Sequence, residues 1–185
     1  MNDAVMTAGK NGACTITAPG KSDFFIDPRT GTTYSNAPFC YERIQGDFVA
    51  SVRVKPDFHK RYDAGGLFVY DKANRWIKLE YELTDLGYPS VVTVVTDKLS
   101  DDSNGERKDE VDSIWLQVVR RGSTWALHYS ETGKKWKMVR FFQLPMKDEV
   151  KVGLVAQSPV GGGCSVGFSR LKIGTAEIAD MRKGK

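Results

Sequence analysis

Histidine and cysteine are scarce in this chain: His59 and His128 are the only histidines, and Cys14, Cys40 and Cys164 the only cysteines, in 185 residues. The two histidines are too few and too far apart in sequence to suggest a histidine metal site, and both read as surface residues. The cysteines lack the close pairing that marks a zinc site or a redox motif, so they are expected to be unpaired thiols buried as small apolar residues. Nucleophile motifs, Cys-His pairs and nucleotide fingerprints are missing. Gly161-Gly162-Gly163 precedes no helix-starting Lys-Ser/Thr, which makes it a flexible strand connection and not a phosphate loop. Nothing in these patterns asks for a metal or another cofactor. Apolar runs of membrane-spanning length are also absent, and MNDAVMTAGKNGACTITAPG has no basic start leading into an apolar core, so neither a membrane partner nor a signal peptide is expected and a cytoplasmic location follows. The formal charge of +4 arises from Lys and Arg scattered among acids, which argues against a nucleic-acid partner.

What the chain does contain is alternation. Apolar and polar residues exchange with period two almost throughout, broken at short intervals by Gly, Pro or Asn/Asp/Ser clusters, while helical periodicity is nearly absent. Phe48, Ala50, Val52 and Val54 form one strand face opposite Val49, Ser51, Arg53 and Lys55, and Pro56 ends the run. Leu67 and Val69 alternate with Phe68 and Tyr70, and SVVTVVT at 90–96 is rich in β-branched residues that suit a pleated surface. DKLSDDSNGERKDE reads as a long exposed loop. Strands resume at 114–119 and 124–129, with Trp125 and Tyr129 as core residues, and continue near 136–142, 149–157 and 163–173. EIADMRKGK closes the chain as a short helix or frayed tail. So many short strands in a chain with 41% apolar residues predict one domain over 1–185, an all-β, two-layer antiparallel β-sandwich of jelly-roll form.

The punctuation of these strands carries a resemblance. NAPFCY (36–41), GDF (46–48), YDAGGLFVYD (62–71), RWIKLEYE (75–82), SVVT (90–93), VVRRG (118–122), HYSETGKKW (128–136), VGLVAQSP (152–159) and GFSRLKI (167–173) run in one order from about residue 22 to 174, ahead of a tail at 175–185. The set resembles a bacterial and fungal domain family of unknown function that includes the fungal regulation-of-enolase protein and is built on the concanavalin-A-like lectin/glucanase sandwich. The chain departs from that pattern at Asp63, where Gln is common, and in the loop near 97–105, which lacks a Trp. The resemblance implies a concave sheet of the kind on which lectins and glucanases bind sugars, and no established activity.

NRWIKLEYEL, residues 74–83, holds the candidate site. Placing Ile77, Leu79, Tyr81 and Leu83 on the inner side of a strand sends Trp76, Lys78, Glu80 and Glu82 to the other. The same logic turns Arg53, Tyr70, Trp115, Gln117 and His128 outward. Aromatic faces cover the C–H side of a pyranose and charged groups bond its hydroxyls, so a solvent-accessible groove lined by Trp76, Lys78 and Glu80, with Arg53, Tyr70 and His128 contributing, is expected to bind a saccharide or sugar phosphate. The ordinary account is that outward positions are polar for solubility and that Trp76 packs under a loop. Four large functional groups in one row exceed that need, although Glu82, near the strand end, reads as a solvated side chain.

The expected function is therefore a non-catalytic binding domain, with regulation of sugar metabolism implied by the resemblance alone. A protein-interaction module acting on a metabolic enzyme is the second reading. A glycoside hydrolase is the third: Glu80 and Glu82, about 7 Å apart at Cα, can bring their carboxyls to the roughly 5 Å of a retaining pair, but Lys78 beside Glu80 favours the ionised form, which is wrong for a general acid.

Overall fold

The alternating segments all become strands in the computed structural model, which describes residues 1–2, 5–175 and 178–185. In chain order these are β1 (Val5–Ala8), β2 (Cys14–Pro19), β3 (Phe24–Ile26), β4 (Thr33–Ser35), β5 (Phe39–Gln45), β6 (Phe48–Pro56), β7 (Ala64–Lys72) and β8 (Arg75–Leu83). They are followed by β9 (Pro89–Asp97), β10 (Leu99–Arg107), β11 (Ile114–Arg121), β12 (Thr124–Ser130), β13 (Lys137–Gln143), β14 (Glu149–Gln157) and β15 (Gly163–Gly174). Among the described residues the only helical piece is a single 3-10 turn at Lys10–Gly12.

Two antiparallel sheets are stacked. One has seven strands in the order β1-β2-β15-β6-β11-β12-β13, and the other six in the order β10-β9-β8-β7-β14-β5. Between them lies the main core. Ile16, Phe48, Val52, Val54, Leu116, Val118, Trp125, Leu127 and Phe168 meet Leu67, Val69, Ile77, Leu79, Tyr81, Val152 and Leu154 across the gap. Both sets alternate along their strands, so one face of each sheet is dry. Gly65 lets the layers close up, since a Cβ there would fall 2.3 Å from Val166 Cγ1 on the opposite sheet.

A two-stranded ribbon of β3 and β4 is laid over the outer face of the six-stranded sheet. A second, smaller core forms there, in which Phe24 and Ile26 of the ribbon, with Ala37 and Phe39 at the entry to β5, pack with Phe68, Trp76 and Val155. The outer face of β7, β8 and β14 is therefore not a solvated surface, and this single fact reorganises the site.

Three local expectations change. The polar stretch after β9 is an antiparallel edge strand, β10, in register with β9 from Leu99↔Asp97 to Asn104↔Val92 and, past a bulge, paired again at Arg107↔Ser90. An edge strand gains hydrogen bonds without burying apolar side chains, so it carries no hydrophobic period, and its charges keep the free edge from pairing with other chains. The C-terminal residues 178–185 form turns and no helix, with Ile178 and Met181 packed on Val119, Ala126 and Val49 on the outer side of the seven-stranded sheet; Glu177, which opens that segment, lies outside the described residues. All three cysteines are free, but only Cys164 is buried, whereas Cys14 is half-buried and Cys40 exposed. Burial pushes the Cys164 thiol up to about 12, so it has almost no thiolate at neutral pH. Alkylation of the folded protein should therefore modify Cys40 first and reach Cys164 only after denaturation, as peptide mass mapping before and after urea would show; equal labelling of the two would contradict this packing.

Candidate functional site

β8 is the spine of the site because its neighbours on both sides are strands, β7 and β9, so every backbone group is paired and its side chains are held at fixed spacing. The split of the strand into two faces follows the alternation: Ile77, Leu79 and Tyr81 lie in the core between the sheets. The opposite row runs from a dry end to an open one. Trp76 is 0% exposed beneath the ribbon, with Phe24 edge-on at 6.0 Å and Tyr70 stacked at 6.3 Å. It does not line a groove, because the ribbon's own aromatic residue takes the place that a sugar ring was expected to occupy.

Lys78 comes next and is buried with its ammonium surrounded by acceptors. Nζ donates to Gln157 Oε1 at 2.6 Å and to Asp23 Oδ1 at 3.2 Å, and lies 3.1 Å from Glu80 Oε2. The last contact is ionic without hydrogen-bonding angles, and neither oxygen of Glu80 accepts a hydrogen bond among the described residues. Glu80 is 0% exposed. Burial opposes the charge of Lys78, but Glu80, Asp23 and Glu82 around it hold the ammonium above its ordinary range. Burial raises the Glu80 carboxyl, with Lys78 pulling the other way. We read Lys78 as ionised throughout the physiological range, since it has donor contacts that Glu80 lacks.

The row ends at Glu82, which opens into a cavity of about 740 Å³. Lys78, Glu82 and Gln157 with Val92 and Val94 floor it, the ribbon and its flanks supply Lys21, Asp23, Phe25, Asp27, Arg29 and Tyr34, and Tyr62, Asp102 and Val160 stand on the wall. Glu82 is only 7% exposed, so it is not the solvated side chain that its place near the strand end suggested. No hydrogen bond or ion pair engages its carboxyl among the described residues, and it is raised well above the ordinary carboxylate range by burial first, then by Glu80, with smaller effects from Asp23 and Asp102.

Polar contacts outside the cavity hold its walls. Asp63 Oδ2 accepts from the backbone N–H of His59 (2.9 Å) and Lys60 (2.8 Å), and Oδ1 accepts from Ser158 Oγ (2.7 Å), tying the loop of Tyr62 to the segment after β14. Asn36 spans the ribbon, accepting from Asp23 N–H at 3.0 Å and donating to Lys21 C=O at 3.0 Å. Ser100 Oγ on β10 accepts from Ile26 N–H at 2.9 Å and so pins the ribbon to the sheet edge.

Of the residues proposed from sequence, only Lys78 reaches this cavity. Tyr70 sits half-buried at the rim of the aromatic cluster. Arg53 and His128 belong to the other sheet: Arg53, on β6, donates to Ser113 Oγ at 3.0 and 2.8 Å beside a smaller hollow of about 280 Å³. His128, on β12, is buried under the C-terminal turns and has no hydrogen-bond partner on either ring nitrogen among the described residues, which corrects its reading as a surface group. Outward direction alone does not tell two sheets apart, and this is why the proposed set divides. The residues that were missed, Asp23, Phe25, Tyr34, Tyr62 and Asp102, come from loops, the ribbon and an edge strand, where no period marks them. Gln157 and Tyr62 had a signal, since both lie in stretches that carry the resemblance.

Comparison with known proteins agrees with this architecture. A functionally unknown protein from Saccharomyces cerevisiae superposes with a TM-score of 0.89 at 26% identity, covering 96% of this chain and 95% of that one. The carbohydrate-binding module CBM66 from Bacillus subtilis superposes with a TM-score of 0.61 at 12% identity, covering 92% and 91%. A xylan β-1,4-xylosidase from Bacillus halodurans gives 0.69 at 13% identity, and the matched region covers 86% of this chain but 32% of that enzyme. The last two establish shared fold and nothing more. No curated protein gives a significant match. Residues 1–176 match the family described as "Protein of unknown function (DUF1349)", and the chain belongs to that family.

Proposed function

We propose that this domain binds a saccharide in the cavity between the β3–β4 ribbon and the outer face of the six-stranded sheet, without catalysing its cleavage. The observation that carries the reading is the composition of that cavity: aromatic rings of Phe25, Tyr34 and Tyr62 on the walls and charged or amide groups of Lys78, Glu82 and Gln157 on the floor, in a volume of about 740 Å³. Rings suit the C–H faces of a pyranose, directional polar groups suit its hydroxyls, and the volume lies within the range of small-molecule sites. Structural likeness to a carbohydrate-binding module supports the same reading by analogy of fold. Hydrolysis through Glu80 and Glu82 has no support in the geometry, because Glu80 is fully buried and does not line the cavity.

Tyr34 provides the test. It is 47% exposed at the cavity rim, so Tyr34→Ala should leave the melting temperature nearly unchanged while weakening saccharide binding by roughly 0.5–1.5 kcal/mol, a factor of about 2 to 12. Calorimetric titration with a panel of mono- and disaccharides measures this. Absence of binding to every sugar, or binding indifferent to Tyr34, would remove the reading.

A further inference from the structure

Acidic groups crowd one part of the cavity. Asp102 faces it from β10, Lys21 and Arg29, both exposed, belong to its lining, and at the floor Asp23 and Glu82, with the buried Glu80 behind them, surround a single cation, Lys78. That cation is already engaged: two of its protons go to Gln157 and Asp23, and Glu80 occupies the remaining side. Arg29 at the rim is bound to Asp27 through Nε at 3.2 Å and Nη2 at 2.8 Å, with its side chain 85% exposed to solvent. Lys21 also lines the cavity and has no ion pair among the described residues, but it is exposed, so the cation open to a phosphate is a solvent-facing one. Glu82, by contrast, is buried, lines the cavity and has no partner among the described residues. A carboxyl placed so is an acceptor waiting for a donor, and the strongest donor for it is an ammonium group. A divalent metal is the other cation to consider, but among the described residues no three acidic, His or Cys side chains converge closely enough to hold one.

We propose that the ligand is an amine-bearing sugar of the hexosamine class, whose ammonium is received by Glu82 with Asp102 while its ring lies against the aromatic wall. This inference rests on the saccharide reading above and goes further by specifying the ligand's charge. The groups facing Glu82 are Glu80 and Lys78 on its own strand, Asp23 before the ribbon and Asp102 on β10. Burial and its acidic neighbours raise the Glu82 carboxyl, and an ammonium beside it favours the ionised form, so binding draws protons off Glu82 and affinity rises with pH until the sugar's own amine loses its charge.

The experiment is calorimetric titration of the full chain with glucosamine, galactosamine and mannosamine, each against its N-acetyl form and its parent hexose, and with glucose 6-phosphate. The expected result is at least tenfold tighter binding of an amine than of its N-acetyl form. The apparent enthalpy should also depend on the buffer, reporting net proton release. Glu82→Gln is nearly isosteric and removes a destabilised carboxyl, so it should fold and lose the preference for the amine over its N-acetyl form; Asp102→Asn should halve that preference or more. Parent hexoses or the phosphate binding as tightly as the amines would overturn this inference and leave the saccharide reading standing. Failure of all these sugars to bind would overturn both.

Discussion

Trp76→Ala is expected to destabilise the domain by about 3–5 kcal/mol, as much as truncating Leu79 in the core between the sheets. Trp76 is among the largest fully buried side chains, and its ring is in contact distance of Phe24, Phe68 and Tyr70. Removing it leaves a hole beneath the ribbon that those rings can close only by moving β3 off the sheet. Its indole N–H has no hydrogen-bond partner among the described residues, so Trp76→Phe should cost much less: it keeps aromatic volume and deletes an unsatisfied buried donor. Urea denaturation of Trp76→Ala, Trp76→Phe and Leu79→Ala ranks the three. A Trp76→Ala protein within about 1 kcal/mol of the parent would show that the ribbon does not pack as described. The same variant is a poor probe of ligand contact, because loosening the ribbon also displaces Phe25 and Tyr34 from the cavity wall.

An equally large loss is expected for Lys78→Met, for an electrostatic reason. Among the described residues it removes the only cation paired with Glu80, which is then a buried carboxylate with neither ion pair nor hydrogen bond. Breaking a buried pair on one side costs about 3–5 kcal/mol, most of it the penalty on the abandoned charge. The sign of its pH dependence follows from the raised carboxyl. Folded Glu80 holds its proton more tightly than the unfolded chain, so that contribution to stability is present below the unfolded carboxyl range, near 4.5, and is lost as pH rises through the folded value. Lys78 is what pulls the folded value down, and without it the window of loss extends to higher pH. The deficit of Lys78→Met should accordingly be small near pH 4.5 and large near pH 8. Lys78→Met combined with Glu80→Met should recover most of it, since a packed apolar pair replaces a buried ionic one at little cost. Urea midpoints for the parent and both variants at the two pH values decide the matter. A deficit that is flat with pH, or a double variant no better than the single, would mean that Glu80 is not the group that suffers.

These two residues also show how far sequence reasoning reaches here. Strand alternation is a local property, written in the order of side chains along one segment, and it placed Ile77, Leu79 and Tyr81 on the dry side of β8 and Trp76, Lys78, Glu80 and Glu82 on the other without reference to anything distant. Two stacked antiparallel sheets followed, since that many apolar strand faces in one chain must be buried against each other. What covers the second face of a sheet is not local. The ribbon that buries Trp76 is contributed by Phe24 and Ile26, some fifty residues earlier, and its two strands are only three residues long each, too short for a period to register.

The candidate site depended on that cover. Alternation assigned Arg53, Tyr70, Trp76 and His128 a common outward direction, but outward from one sheet and outward from the other are opposite sides of the sandwich, and only strand order separates them. Lys78 and Glu82 line the cavity, whereas Trp76 and Glu80 on the same strand face are fully buried and do not. The sequence by itself determined the sheets, their dry faces and the presence of unusual charged groups on β8, because those follow from contacts between near neighbours and from the period of the strand. Tertiary structure alone decided which of those groups are sealed and which face a cavity, because that depends on where a short ribbon far away in sequence comes to rest.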